Sequence, residues 1–245
     1  MMTAERFDLP GTFVAPLFDA WRTGAVDLPP AVIDAGRSYL AALDRLRATP
    51  RATTLGVRGI AGREDAAFAA EIHRDAARAS RDIGQGLVGL VGTLADEIIG
   101  DYLRPPFLSA LDEVRSVAPA LQGVDVRDTA AVSRARVGEP FLVLAGAAET
   151  IRAILAAQEC VIYCQSTIGP AGQDPYTSSR TARGVLRDTR RMPDSPVGSV
   201  GPAHRLERTL WLATPEGEAW LPTRGEWEEA HAAWLVSPQR AGRSA

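Results

Sequence analysis

Between Phe68 and Ile98, nine apolar side chains recur at steps of three and four residues: Phe68, Ile72, Ala76, Ala79, Ile83, Leu87, Leu90, Leu94 and Ile98. That spacing holds them on one stripe of an α-helix, while Arg74, Asp75, Arg78, Arg81 and Asp82 mostly fall elsewhere. A helix over 64–103 would run roughly 60 Å at 1.5 Å per residue, unless its glycines bend it. One helix cannot bury such a seam alone, so other polypeptide is expected to cover it.

The flanking sequence supplies further helices. Pro29 and Pro30 open one that runs to Arg47, with Val32, Tyr39, Leu40, Leu43 and Leu46 broadly on one side. Arg104-Pro105-Pro106 is expected to end or kink the long helix, since proline removes an amide donor and clashes with the preceding turn. A helix over 107–121 carries Leu108, Leu111, Val114 and Val117. After a turn at Gly123, with Asp125 or Asp128 as N-cap, another runs over 141–165 with Leu144, Ala148, Ile151, Leu155 and Ile162 as its buried stripe. Long apolar stripes between short breaks predict a mainly α fold, a long antiparallel helical hairpin or small bundle.

Residues from 166 to about 204 are rich in Gly, Pro, Ser, Thr and Arg and read as a flexible linker. Beyond it, Thr209-Leu210-Trp211-Leu212-Ala213 and Ala219-Trp220-Leu221 flank Pro215-Glu216-Gly217, the pattern of a β-hairpin. Thr223-Arg224-Gly225-Glu226 spells a capping box ahead of a helix carrying Trp227, Ala230 and Trp234. The expected organisation is an N-terminal arm with one helix (1–62), the helical hairpin or bundle (63–166), an Arg/Pro/Gly-rich linker (167–205), a small ββα unit (206–237) and a tail (238–245).

Charge and composition narrow the partners. The net charge of −3 carries no overall basic excess, so any basic surface is local. Every cation is Arg and no Asn occurs, the mark of a GC-rich coding sequence more than of a demand for guanidinium groups. Two cysteines make no disulfide framework. Residues 1–16 lack the basic and apolar regions of a signal peptide, and the uncharged stretch up to Ala95 is shorter than the ~20 residues of a bilayer span. A cytoplasmic, soluble protein without membrane contact is expected.

Each chemical motif has a plainer structural reading. Gly84-Gln85-Gly86-Leu87-Val88-Gly89 spells the dinucleotide fingerprint, but no strand precedes it, so the glycines at 86, 89 and 92 read as points of close helix approach or bending. Cys160 and Cys164 share a helix face and could join His204 and His231 around zinc, yet the knuckle that structural zinc sites use is missing. They read as small core residues. No Gly-x-Ser-x-Gly elbow exists, and Asp96-Glu97 and Glu228-Glu229 point to different sides of their helices. No catalytic residue, metal ligand or cofactor is therefore expected. Arg180, Arg183, Arg187, Arg190 and Arg191 stand against a single acid, Asp188, and could neutralise phosphates without sequence preference, or simply keep a spacer soluble. Trp211 and Trp220 would form the core of a tiny unit, or anchor a partner.

The stretch Asp101-Tyr102-Leu103-Arg104-Pro105-Pro106-Phe107, continuing from Leu111 to Leu121, resembles uncharacterised proteins encoded in the virion structural modules of tailed phages and prophages of GC-rich bacteria. The piece from Trp211 to Trp220 is similar to them too. The resemblance covers about a quarter of the chain and implies a setting in virion assembly, without transferring any functional residue. The expectation is a non-enzymatic structural or assembly protein, working by self-association or protein partners through Phe68, Ile72, Ile83, Leu87, Leu90, Leu94, Ile98, Trp211 and Trp220. It would be cytoplasmic in the producing cell or incorporated into a virion. The alternatives are a nucleic-acid-associated protein using the linker arginines, and an enzyme whose site is assembled from scattered residues.

Overall fold

A computed structural model describes residues 14–49, 59–168, 202–215 and 219–236, and these are mainly helical. In chain order the elements are α1 (Ala15–Arg22), α2 (Pro30–Ala48), α3 (Gly59–Thr93), α4 (Ala95–Glu97), a π turn (Ile98–Leu103), α5 (Arg104–Val117), a 3-10 turn (Ala118–Leu121), α6 (Thr129–Arg134), α7 (Gly138–Ile168), α8 (Pro202–Leu212) and α9 (Arg224–Val236).

The long rod is shorter than its periodicity implies. It stops at Thr93, and the chain turns by 60° into the segment from Ala95 to Leu121. Leu94 leaves helical geometry (φ −92°, ψ 12°), and the Thr93 hydroxyl donates to the Gly89 carbonyl at 2.9 Å. Such a back-bond competes with the backbone ladder and bends helices. The prolines, in turn, neither end the helix nor set its main bend. The π turn before them lets the Arg104 amide donate to Ile99, and Pro105 and Pro106 then fall in the first turn of α5, where no amide is required.

A second correction concerns which face of α3 is covered. The side chains turned inward are Ala69, His73, Ala76, Ser80, Gly84, Leu87 and Val91, stepping by three and four one position around from the large apolar residues. Small groups dominate this face because α2 lies close on it. A Cβ on Gly84 would come within 2.8 Å of the Tyr39 ring. From Leu87 onward the inward face is covered at Val91, Ala95, Ile98, Ile99, Leu103, Phe107, Leu111 and Val114, while Leu90 and Leu94 stay half-buried.

The central element is α7. It packs against α1, α3, α5 and α8 and buries Leu144, Ala147, Ala148, Ile151, Ile154, Ala157 and Val161. By length and composition Gly138–Ser166 is apolar enough to cross a membrane, and a third of its most apolar window is buried against the other helices. Its sequence-read stripe holds at Leu144, Ala148 and Ile151, while Leu155 and Ile162 are only half-buried.

One core draws on segments far apart in sequence: Leu17, Phe18 and Val32 from the first helices, and Leu212, Ala213 and Leu221 from the last, join the α3–α7 residues in a single cluster. The first strand of the expected ββα unit is helical instead, and residues 216–218 of its turn lie outside the described residues. Thr209, Leu210, Trp211 and Leu212 form the end of α8, whose apolar residues pack on α5 and α7 in helical register. No strand occurs among the described residues. The capping box holds: the Glu226 carboxylate accepts from the Thr223 amide at 2.9 Å, and the Glu226 amide donates to the Thr223 hydroxyl at 3.4 Å.

Candidate functional site

Side-chain chemistry is gathered at two places, an exposed stretch of α3 and the junction where the C-terminal helices meet α5. On α3, Phe68 is 66% exposed and Ile72 39% exposed, one turn apart on the same face. Around them stand Glu71, Arg74, Asp75, Arg78, Arg81 and Asp82, all exposed. Elsewhere an acid three residues before an arginine pairs with it, as in Asp19–Arg22 at 3.4 Å, Asp34–Arg37 at 3.1 Å and Glu149–Arg152 at 2.8 Å. Glu71–Arg74 and Asp75–Arg78 have the same spacing but form no ion pair among the described residues, and Arg74 donates to the Ala70 carbonyl instead.

The other interface residues expected from the sequence are not free. Leu87 and Ile98 are buried in the chain's own core, and Ile83, Leu90 and Leu94 are half-covered. Their burial is within the chain: α3 itself packs on α2 and α7, and beyond the bend at Leu94 α4 and the π turn also meet α7. Trp211 and Trp220 are half-buried and share no hairpin. Arg180, Arg183, Arg187, Arg190 and Arg191 lie outside the described residues.

The junction is built from two arginines that the sequence did not single out. Arg104, at the start of α5, donates Nε and Nη2 to the Leu221 carbonyl at 3.1 and 3.0 Å, and also pairs with Glu226. Three turns on, Arg115 donates to the Ala213 carbonyl at 2.9 Å and to Asp112 at 2.7 Å. Buried Gln158 of α7 donates to the Pro222 carbonyl at 3.3 Å, and Asp96 accepts from the first amide of α9, that of Arg224, at 3.3 Å. Partial burial pushes the Glu226 carboxyl up, but the Thr223 amide and the Arg104 guanidinium outweigh it and hold the carboxyl below the ordinary glutamate range. No sequence signal marks Arg104 or Arg115, because their acceptors are backbone carbonyls about a hundred residues away.

The junction ties the C-terminal segment to α5 and α7 through side chain to carbonyl bonds within the chain. The glycine fingerprint lies inside α3, where Gly84 receives Tyr39 while Gly86 and Gly89 meet nothing within 4 Å. It is thus Gly84, not Gly86 or Gly89, that allows close approach. Among the described residues no three His, Cys, Asp or Glu side chains are grouped to hold a metal. Cys160 and Cys164 are buried in the core and neither is in a disulfide. This chain matches no protein-family model, no curated protein and no solved structure.

Proposed function

We propose that this protein is a non-enzymatic structural or assembly component that acts through helix-mediated protein contacts, with the exposed outer half of α3 as its docking surface. The observation that supports this reading is the adjacent exposure of Phe68 and Ile72. A large aromatic and a branched aliphatic side chain on one turn, within a rim of charge, is the composition of an interface anchor. The unpaired acids and arginines beside them give the rim the means to select a partner's charge pattern. A place in a tailed-phage virion, suggested by the sequence resemblance, fits such a part. The helical-hairpin description belongs to the same proposal, with α3 and α7 as its arms.

Light scattering coupled to size exclusion tests it. Wild-type protein should elute as an oligomer, or capture a defined partner from the producing cell, and Phe68→Ser with Ile72→Ser should abolish this without loss of helicity. A wild-type monomer without a partner, or an assembly indifferent to both substitutions, removes the reading.

A second reading rests on Arg180, Arg183, Arg187, Arg190 and Arg191, which stand against one acid in the sequence. Replacing Arg183, Arg187 and Arg190 by Gln should weaken DNA or RNA binding and flatten its salt dependence. Unchanged binding dismisses it.

A further inference from the structure

A second register runs along α3 beside the covered one. Asp65, Phe68, Ile72, Asp75, Ala79 and Asp82 alternate steps of three and four, and all six are exposed. That is the a/d spacing of a heptad repeat, held over about 26 Å of helix. Glu71 and Arg78 take the g positions, are exposed, and have no ion-pair partner among the described residues. The e positions, Ala69, Ala76 and Ile83, are buried or half-buried. The open seam therefore lies beside the face that packs within the chain, about a quarter-turn around the helix from it.

The sequence of the seam decides what can cover it. In a parallel pair of α3 helices each layer meets its own copy, so Asp65, Asp75 and Asp82 would each face an identical acid. Glu71 and Arg78 would then meet the apolar e positions and gain no charge partner. An antiparallel pair sets a against d instead. Phe68 of each copy then fills the space over the small Ala79 of the other, and Ile72 lies against Asp75, which no longer faces a second acid. Glu71 comes opposite Arg78 of the other copy, twice by symmetry, and g-position charges of opposite sign set the orientation of paired helices. Like charges meet only where Asp65 faces Asp82, at the two ends and in water. Large stands against small and acid against base when this face meets itself reversed.

We propose that the partner of α3 is a second copy of this chain, docked antiparallel about a twofold axis that crosses the helix between Ile72 and Asp75. The inference rests on α3 as the docking surface, and adds the identity of the partner and the direction in which it runs.

Sedimentation velocity over a series of concentrations tests it on the full-length protein, with circular dichroism confirming that each variant folds. The wild type should dimerise. Glu71→Arg and Arg78→Glu should each weaken the dimer by about tenfold or more, because each turns two attractive pairs into two repulsive ones. Both substitutions in one chain should restore the dimer, and the two single variants, mixed, should form a heterodimer. A wild-type monomer that captures a different protein through Phe68 and Ile72 overturns this pairing while α3 stands as a docking surface. A wild-type monomer without a partner, or an assembly indifferent to Phe68→Ser with Ile72→Ser, removes both. A dimer that the single reversals leave intact, or that the double reversal fails to restore, overturns the antiparallel register.

Discussion

Arg104 and the backbone carbonyl of Leu221 are joined by a two-pronged hydrogen bond, with Nε at 3.1 Å and Nη2 at 3.0 Å. The guanidinium fork thereby ties the residue that follows the π turn to the strap leading into α9. A charged, partly buried donor pair of this kind contributes about 1.5–3 kcal/mol, and Lys cannot reproduce it because its ammonium lacks the planar fork. Arg104→Ala should loosen residues 219–236 ahead of global unfolding, and Arg104→Lys should restore only part of the loss. Hydrogen exchange followed by mass spectrometry checks this: faster exchange confined to the C-terminal segment is the expected outcome, and uniform exchange in both variants is the contrary one.

The same junction carries an acid sensitivity. Glu226 is held below its ordinary value in the fold, so its contribution is complete above the unfolded glutamate range and is lost as pH falls through the lower, folded value. The carboxylate is substantially exposed, which limits the effect to about 1 kcal/mol at most. Docking of α9, followed by the fluorescence of Trp220 and Trp227, should weaken as pH falls below 4.5. Glu226→Gln should weaken docking at neutral pH and flatten that dependence. A variant with the wild-type acid profile would show that another group is responsible.

The capping box at Thr223 and Glu226 could be read from the sequence because both partners sit three residues apart; of the two N-cap candidates, Asp125 and Asp128, it is Asp128 whose carboxylate accepts from the Ala130 amide, at 2.8 Å, opening the short α6 that the sequence did not single out. Local chemistry is legible because it is local. The covered face of α3 was not, since counting large apolar residues favoured Phe68 and Ile72 over Ala69, Ser80 and Gly84. Close packing by α2 rewards small residues, and that preference appears only once α2 is in place. The strand reading at Thr209–Ala213 failed for a related reason. Alternating Leu and Trp on five residues fits a pleated strand and a helix end equally, and tertiary packing chose the helix. The solvent-facing site at Phe68 and Ile72 was within the seam named from sequence, but that Leu87, further along the same helix, is covered by the chain's own α2 and α7 packing has no distinctive local pattern.

Gly36 supplies a third test. A Cβ there would lie 2.5 Å from Phe18 Cζ, inside the α1–α2 contact, and Phe18 is fully buried. Gly36→Ala gains helix propensity but overpacks the ring, and the strain should win, destabilising by about 1–3 kcal/mol in urea unfolding. Trimming the neighbour should reverse the sign of the alanine's effect: in a Phe18→Leu background Gly36→Ala should be neutral or stabilising. Equal costs in both backgrounds would mean that the ring moves aside freely and the contact carries no strain.

Two helix ends close with the same backbone motif but with different residues in the left-handed position. After α1, Gly24 adopts φ +75°, with its amide bonded to Trp21 and that of Ala25 to Ala20, each at 3.0 Å. After α6, Arg136 adopts φ +57°, with its amide on Ser133 at 3.1 Å and that of Val137 on Val132 at 3.3 Å. An L-residue with a side chain is disfavoured there by roughly 1–2 kcal/mol, whereas glycine is not. Arg136 is exposed, so removing its side chain sacrifices little packing. After the greater unfolded-chain entropy of glycine is subtracted, Arg136→Gly should stabilise the fold by about 0.5–1 kcal/mol. Gly24→Ala should do the reverse by a similar amount, although its Cβ would meet nothing within 4 Å, so the whole loss would be backbone strain. Thermal denaturation of the two variants beside the wild type should therefore give shifts of opposite sign, and shifts of the same sign would break the equivalence of the two turns.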